Sequence, residues 1–237
     1  MSRFDMKKDW DARAREAPLR AIACDEGKDE VVFQATGWRD AAIVLEGIEP
    51  LLPSRERMLE IGCGVGRLLE PLTAHFHRVY GVDVSGEMVR KGHMRLAHLP
   101  QVQLLEVDGS GSLPFAEGSF DFCFSYITFH HIPDKRVVRA YLAEAYRVLK
   151  VGGISRFHTF GRLDGFWQTV RECCTRKSTW RGAKFTEQEA ISMTRQADFE
   201  MVETRYVDPT PGQRPPFFGK NQPHVIWITA RKPGTSR

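Results

Sequence analysis

The sequence has 237 residues, a length at which an α/β fold commonly forms one domain, and its 42% hydrophobic and 27% charged residues are typical of a globular protein. The net charge of +4 comes from lysines and arginines scattered along the chain, so charge predicts no nucleic-acid partner. The charged first twenty residues hold no apolar core and no long apolar run follows, so we expect a cytoplasmic protein without a secretory signal or membrane span.

The five cysteines lack the paired spacing of a zinc site. We therefore expect reduced thiols and no bound metal. The adjacent Cys173 and Cys174 leave a redox role open, although a disulfide between neighbours is strained.

The first part of the chain predicts two helices. The first covers residues 5–20 and ends at the turn signal near Pro18; the second covers 38–49 and ends before Pro50 and Pro53.

Apolar runs alternate with helical segments from residue 57 onwards. Helices are predicted at RLLEPLTAHF, EMVRKGHMRLAHL and DKRVVRAYLAEAYRVL. Strands are predicted at RMLEIG (57–62), HRVYGVDV, QVQLLEVD, SFDFCFSY and, after a Gly152-Gly153 turn, GISRFHTF. This alternation predicts a parallel sheet that is covered by helices on both faces.

The C-terminal third changes character. Thr186 and Glu189 form a capping-box pattern that opens a helix running to about Asp198. Two last strands are predicted at MVETRYV and HVIWITARK, joined by a Pro- and Gly-rich loop over 208–223.

Three glycines stand where the strand at 57–62 turns into a helix: Gly62, Gly64 and Gly66, in EIGCGVGR. Glycine lets the backbone turn sharply and approach a ligand closely. Such turns serve nucleotide-binding proteins of several kinds, and a purely structural tight turn is the alternative.

Two acidic residues end the next two strands. Asp83 follows the glycines by about 20 residues and suits a carboxylate that accepts both ribose hydroxyls; capping the helix from Gly86 is the alternative. Asp108 suits the exocyclic amine of adenine; starting a turn before Gly109 is the alternative.

These motifs resemble a known family. LEIGCGVGR, GVDVSGEMV, LPFAEGSFDFCFSYITFHHIPD and AYRVLKVGG occur in the order and spacing of the class I S-adenosylmethionine-dependent methyltransferases of the bacterial small-molecule type. The resemblance covers about residues 55–155, and WDARARE is similar to the N-terminal segment of one uncharacterised bacterial subgroup.

The resemblance implies a single α/β domain over 1–237, with a Rossmann-like seven-stranded, mostly parallel sheet, helices on both faces and an antiparallel last strand. It implies S-adenosylmethionine as cofactor, S-adenosylhomocysteine as product and methyl transfer to an O, N or S atom of a small-molecule acceptor. We expect a monomer or homodimer.

The resemblance also implies roles for single residues. The three glycines would line the methionine part of the cofactor, with Glu60 near its amino group; Asp83 would hold the ribose and Ser125 would offer a backbone contact. The remaining cofactor positions lie at or near adenine: Val84, Met88, Asp108 and Gly109. DGSGSLPF is one residue longer than the usual pattern, which puts the contacts after Asp108 in doubt.

The N-terminal segment 1–20 is a candidate lid over the cofactor. Trp10, Arg13 and Arg15 are its expected contact residues, because a flexible helix can close such a site and an arginine can clamp a carboxylate. A solvated helix face is the alternative.

His131 and His130 are the candidate catalytic residues, since an alcohol, phenol or protonated amine must lose a proton and histidine is the usual acceptor. His131, placed before an isoleucine, is similar to the active-site histidine of phosphoethanolamine methyltransferases. Capping the following helix or packing under the substrate loop is the alternative.

The acceptor pocket is expected from insertions at 157–185 and 208–223, because loops at the carboxyl edge vary on a fixed scaffold. Ordinary core packing is the alternative for their aromatic residues. The candidates are Phe160, Phe166, Trp167, Trp180, Phe217 and Phe218, with Arg162, Arg171 or Arg181 for an anionic group.

Three other functions compete. A NAD-dependent oxidoreductase is disfavoured by G-x-G-x-G in place of G-x-G-x-x-G. A nucleic-acid methyltransferase is disfavoured because SYITF replaces the Asn/Asp-Pro-Pro-Tyr/Phe segment. A cofactor-binding sensor or scaffold without turnover stays open.

Overall fold

A seven-stranded sheet forms the centre of the computed structural model, which describes residues 5–161, 182–207 and 225–234. The strands are β1 (Arg57–Ile61), β2 (Arg78–Asp83), β3 (Val102–Glu106), β4 (Phe120–Ser125), β5 (Leu149–Phe160), β6 (Glu200–Val207) and β7 (Val225–Arg231). Their order is β3-β2-β1-β4-β5-β7-β6; the pairs among β1 to β5 are parallel, and β7 is antiparallel to both neighbours. The predicted fold class is confirmed.

Helices cover both faces of this sheet. They are α1 (Met6–Glu16), α2 (Pro18–Ala23), α3 (Glu30–Leu45), α4 (Leu69–Leu72), α5 (Gly86–Arg95), α6 (Lys135–Val148) and α7 (Glu187–Gln196), with 3-10 turns at Cys24–Lys28, Glu49–Leu51 and Phe129–His131. Apolar side chains of α3, α4 and α5 share one core cluster, and those of α6 and α7 share another.

Side chains of β1 point alternately to the two faces of the sheet, so this strand contributes to both core clusters. Met58 packs into the cluster with α3 to α5, whereas Leu59 and Ile61 pack into the cluster with α6 and α7. Successive side chains of a strand point to opposite faces, so a continuous apolar run is required when both faces are covered.

The N-terminal helices differ from the prediction. Helix α3 begins at Glu30, well before residue 38, because the Asp29 side chain caps it by accepting the Val32 N–H at 3.0 Å. Pro18 does not end the helical segment but starts α2, since the first residue of a helix needs no N–H donor.

Two predicted boundaries near the middle of the chain are also wrong. The segment RLLEPLTAHF is helical only over Leu69–Leu72, with turns on either side. Strand β5 begins at Leu149, ahead of the glycine pair; Gly152, with φ +78°, bends the strand without ending it.

The capping box at α7 is confirmed. The Glu189 N–H donates to Thr186 Oγ1 at 3.1 Å, and the Thr186 N–H donates to Glu189 Oε2 at 3.0 Å. The helix ends at Gln196, two residues before the predicted end. The 208–223 loop lies outside the described residues.

The described ranges contain no helix with the length and apolar character needed to cross a bilayer. In the same ranges no group of three or more His, Cys, Asp and Glu side chains is placed to hold a metal ion. Cys63 and Cys123 are buried free thiols, while Cys173 and Cys174 lie outside the described residues.

Candidate functional site

The glycine turn lies at the carboxyl end of β1. The N–H groups of Gly62 and Cys63 both donate to the Val82 carbonyl of β2, at 2.8 and 3.0 Å. Gly62 has φ +82°, and a Cβ added to it would lie 2.2 Å from Cγ2 of Thr128. Both the conformation and the crowding require glycine here. Gly64 and Gly66 share the left-handed conformation, so the turn presents bare backbone.

Glu60 reaches this turn from inside the sheet. Its side chain is 2% exposed, and its Oε2 has no hydrogen-bond partner among the described residues. Burial raises the pKa of its carboxyl to about 8, against the attraction of Arg67. A buried carboxyl with an unused oxygen is costly unless a cation or a donor completes it.

The buried carboxylate at the opposite edge of the sheet differs in this respect. Asp121 begins β4 and accepts hydrogen bonds from the Ser54 hydroxyl at 2.7 Å, the Arg57 N–H at 2.9 Å and Lys150 Nζ at 2.7 Å. Although burial opposes ionisation, these donors lower the pKa of Asp121. The Asp121 carboxylate finds its hydrogen-bond partners within the fold, whereas Glu60 Oε2 has none among the described residues.

Asp83 joins the glycine turn to the end of β2. Its Oδ2 accepts the Gly64 N–H at 2.8 Å and its Oδ1 accepts the Ser85 N–H at 2.9 Å. Burial raises the pKa of Asp83. The residue that caps α5 is Ser85, whose hydroxyl accepts the Met88 N–H at 3.1 Å, so the helix-cap alternative for Asp83 is wrong.

The predicted adenine positions gather at the ends of β2 and β3. Met88 is fully buried. Val84 and Gly109 are adjacent, since a Cβ added to Gly109 would lie 3.0 Å from Cγ2 of Val84. Asp108 is exposed and accepts the Ser110 N–H at 2.8 Å, which is the geometry of the turn alternative.

Ser125 ends β4 beside the glycine turn. Its buried hydroxyl donates to the Ile61 carbonyl at 3.0 Å, which ties the ends of β1 and β4 together. The residues predicted around the methionine part of the cofactor are thus brought to one edge of the sheet.

The first two helices pack onto this edge. Trp10 and Ile22 lie against a buried cluster that includes Met88 of α5 and Val65 of the glycine turn. A Cβ added to Gly64 would lie 2.7 Å from Cδ1 of Ile22. The Arg13 guanidinium carbon lies 5.6 Å from the centre of the Trp10 ring. Helix α1 is therefore more than a solvated helix face.

Asp11 fixes α1 against the start of α5. Its Oδ1 accepts the Ser85 hydroxyl at 2.6 Å and the Glu87 N–H at 3.1 Å. Burial opposes its ionisation, but these bonds lower the pKa of Asp11 overall. Lys91 Nζ also donates to the Ala14 carbonyl at 2.5 Å. Asp11 and Ile22 were not among the predicted site residues, because only the tertiary fold brings these helices to the site.

The two predicted histidines follow β4 in a short 3-10 turn. His130 is buried, its ring stacks on Phe160 at 3.9 Å, and burial lowers its pKa. His131 is partly exposed, and its ring centre lies 4.1 Å from that of His130. Asp134, not a histidine, caps α6 by accepting the Arg136 N–H. The capping alternative for the histidines is wrong.

A third histidine, His158 on β5, completes this cluster. It is 4% exposed, and its Nε2 accepts the Ile127 N–H at 3.0 Å. Burial lowers its pKa to about 3. His158 was not among the predicted site residues, because no sequence pattern distinguishes a functional histidine in an apolar strand from a core residue.

Only part of the predicted acceptor pocket is described. Phe160 is partly buried against His130. The other predicted pocket residues lie outside the described ranges: Arg162, Phe166, Trp167, Arg171, Trp180, Arg181, Phe217 and Phe218.

The fold and the site together define a Rossmann-like domain with a ligand site at the carboxyl edge of its sheet. Residues 59–157 match a family model described as a methyltransferase domain. The 27-O-demethylrifamycin SV methyltransferase of Amycolatopsis mediterranei is 31% identical over 130 residues, which are 49% of this chain and 46% of that protein. The aligned part is therefore less than half of that relative.

Solved structures agree on the fold. A SAM-dependent methyltransferase from Methanosarcina mazei aligns with a TM-score of 0.62 at 21% identity, over 78% of this chain and 96% of that one. Phosphoethanolamine N-methyltransferase 2 of Haemonchus contortus aligns with a TM-score of 0.62 at 20% identity, over 84% of this chain and 54% of that one. Residues 59–157 are therefore similar to a methyltransferase domain, and the chain has the Rossmann-like fold of these solved methyltransferases.

Proposed function

We propose that the protein binds S-adenosylmethionine at the glycine turn and transfers its methyl group to an O, N or S atom of a small molecule. The observation that carries the proposal is the unused Oε2 of Glu60, buried beside the glycine turn and Asp83. A cofactor with a cationic amino group supplies what this carboxyl lacks.

The other residues at this edge fit the same cofactor. Gly62, Gly64 and Gly66 would lie along its methionine part, Asp83 would accept from the ribose hydroxyls, and Met88 would contact the adenine. Val84, Asp108, Gly109 and Ser125 complete the proposed cofactor set. When bound, S-adenosylmethionine supplies an electrophilic methyl group on a sulfonium.

The chain's own part in the reaction is to align the acceptor, exclude water and take a proton where the acceptor must lose one. Of the two candidates, His131 is the better placed because it is partly exposed, whereas His130 is buried. Residues 1–20 would act as a lid with Trp10 and Arg13 over the cofactor, and 157–185 with 208–223 would shape the acceptor pocket.

The proposal extends to the setting of the protein. We infer a cytoplasmic enzyme, a monomer or homodimer over 1–237, that takes a small-molecule acceptor and no nucleic acid. Phosphoethanolamine is one acceptor to include in a screen, given the fold shared with the Haemonchus contortus enzyme and the placement of His131 before Ile132.

Calorimetric titration with S-adenosylmethionine, S-adenosylhomocysteine and NAD tests the cofactor. We expect binding of the first two and none of NAD, with Asp83→Asn binding at least ~10-fold more weakly because a charge-assisted hydrogen bond is lost. Binding of NAD alone would refute the proposal.

Transfer of a labelled methyl group to a panel of alcohols, phenols, amines and thiols then tests turnover. Transfer to at least one acceptor is expected, with about tenfold less transfer by Asp83→Asn at cofactor concentrations below the Kd of the unaltered protein. Cofactor binding without transfer to any member of the panel would favour the sensor function instead.

A further inference from the structure

The backbone between β4 and the candidate histidines is strained at one residue. Ile127 has φ +54°, the left-handed region that a β-branched side chain rarely adopts. Because an isoleucine disfavours this conformation, contacts from the surrounding structure must hold the backbone there.

His158 makes the contact that holds this residue. Its Nε2 accepts the Ile127 N–H at 3.0 Å, so Nε2 carries no proton and the neutral ring has its proton on Nδ1. The ring itself packs against three aromatic neighbours, with ring centres 4.9 Å from Tyr126, 4.9 Å from Trp227 and 5.9 Å from His130. These contacts hold the acceptor atom in place.

The strained residue sets the path of the chain on both sides. Thr128 follows directly, and its hydroxyl donates to the carbonyls of Tyr126 at 3.0 Å and Gly62 at 3.3 Å. The His131 N–H then donates to the Thr128 carbonyl at 2.9 Å. A change at Ile127 would move both the contact with the glycine turn and the position of His131.

We propose that His158 is a positioning residue for methyl transfer: by accepting the Ile127 N–H, it holds residues 126–131 in the conformation that places His131 at the acceptor side of the site. The proposal rests on the proposed function in naming methyl transfer. The backbone part of it stands on contacts within this chain alone.

The protonation state of His158 tests the proposal in the unaltered protein. The imidazole nitrogen-15 spectrum should show an unprotonated Nε2 and a protonated Nδ1 for His158 throughout pH 5.5–8. The ring stays neutral over this range because burial lowers the pKa of His158 to about 3. A ring with its proton on Nε2 could not accept this bond, and that result would overturn the proposal.

Two substitutions then separate the acceptor atom from the ring. His158→Phe keeps an aromatic ring between Tyr126 and Trp227 but removes the acceptor; His158→Gln keeps an acceptor oxygen at a similar reach but removes the ring. We expect faster amide hydrogen exchange over 127–131 and about tenfold lower kcat in the Phe variant, with substantial recovery in the Gln variant. The Kd for S-adenosylmethionine should change less than kcat.

Ile127→Gly supplies the second arm of a double-mutant cycle, since glycine adopts φ +54° without a steric cost and needs less help from His158. The loss caused by His158→Phe should shrink in the Ile127→Gly background. Equal losses in both backgrounds, or a Gln variant no better than Phe, would overturn the proposal.

The exchange measurement keeps the two proposals distinguishable. If the unaltered protein transfers no methyl group but exchange over 127–131 follows the pattern above, the hold of His158 on the backbone of 126–131 stands and the proposed function fails. If methyl transfer occurs and exchange is unchanged in His158→Phe, the positioning role fails alone.

Discussion

The ring of Trp10 meets the ring of His131 edge-on, with ring centres 5.1 Å apart and planes at 73°. Trp10 lies on α1 and also packs against the buried cluster that includes Met88, the residue proposed to contact adenine. One side chain of the N-terminal helix thus lies between the residues proposed for the cofactor and the histidine proposed for the acceptor side. The proposed lid and the proposed catalytic histidine therefore share a direct contact.

Trp10→Ala should weaken S-adenosylmethionine binding and lower turnover together, because it removes a contact on each side of the site. An aromatic pair contributes about 1 kcal/mol beyond its burial, so we expect at least a ~5-fold loss in affinity. Calorimetry and steady-state kinetics measure the two effects. Trp10→Phe, which keeps an aromatic contact, is the matched control; an Ala variant with unaltered affinity and turnover would reject the lid.

Arg13→Ala should weaken binding of S-adenosylmethionine by about 10-fold, through the lost clamp on a carboxylate. Arg15 was also predicted to contact the cofactor, but its side chain is exposed on the same helix. Arg15→Ala is therefore the matched control and should have little effect. Equal affinities for the two variants would show that Arg13 plays no part in binding.

His131→Ala should lower kcat by at least ~100-fold if the residue takes a proton from the acceptor, while the cofactor Kd changes little. His98→Ala, with a side chain 62% exposed at the end of α5, controls for the loss of a histidine elsewhere. A fully active His131→Ala protein would remove the residue from the mechanism. A large loss of cofactor affinity would point to its contact with Trp10 instead.

Glu60 predicts a pH dependence of stability in the free protein. Burial raises its pKa from 4.5 to about 8, so folding favours the protonated form. The contribution of the protonated Glu60 carboxyl to the free energy of unfolding is fully present below pH 4.5 and is lost as the pH rises through about 8. Glu60→Gln cannot ionise, so the variant should gain stability over the unaltered protein between pH 5 and 9, by on the order of 3 kcal/mol. Chemical denaturation across this range measures the difference; parallel curves would contradict the shift.

The same residue predicts a proton release on cofactor binding. At pH 7 the Glu60 carboxyl of the free protein is largely protonated, and the cationic amino group proposed beside it would favour ionisation. Titrations of S-adenosylmethionine in buffers of different ionisation enthalpy should report up to one proton released at pH 7, and none from Glu60 in the Gln variant. Identical proton counts for both proteins would place the amino group elsewhere.

Gly62→Ala should abolish cofactor binding, because the added Cβ would meet Thr128 at 2.2 Å in a residue with φ +82°. Gly118→Ala is a matched control for the backbone alone, since Gly118 has φ +65° and nothing within 4 Å of an added Cβ. We expect the control to cost about 1 kcal/mol of stability and to leave binding intact. Similar unfolding and binding data for both variants would mean that the crowding at Gly62 is unimportant.

The parts of the fold predicted correctly are those whose cause is local in sequence. Three features depend on neighbouring residues: the positions of the strands along the chain, the glycine turn after β1, and the capping box of Thr186 and Glu189. The predicted start of α3 was wrong because Asp29 caps the helix without the Glu or Gln three residues later that marks a capping box. The predicted start of β5 was wrong because the Gly152-Gly153 pair indicates a turn. In the structure, the strand pairs with β4 at Leu149 before Gly152 and at Ile154 after it.

The candidate site divides in the same way. Asp83 and the glycines follow from strand ends and spacing, and Glu60 follows from the family resemblance, so these residues could be predicted from the sequence. Asp11, Ile22 and His158 could not, because their roles depend on contacts with residues more than 25 positions away. The positive φ of Ile127 has no sequence signal at all, since an isoleucine there favours extended backbone.

The docking of α1 and α2 has a consequence for how the chain folds as it is synthesised. These helices precede the sheet along the chain, so they are synthesised before their partners Val65, Met88 and Glu106. A helix of 11 residues is barely stable by itself in water, so α1 would stay largely unstructured until the sheet has formed. A segment made before the sheet would therefore acquire its native contacts after it.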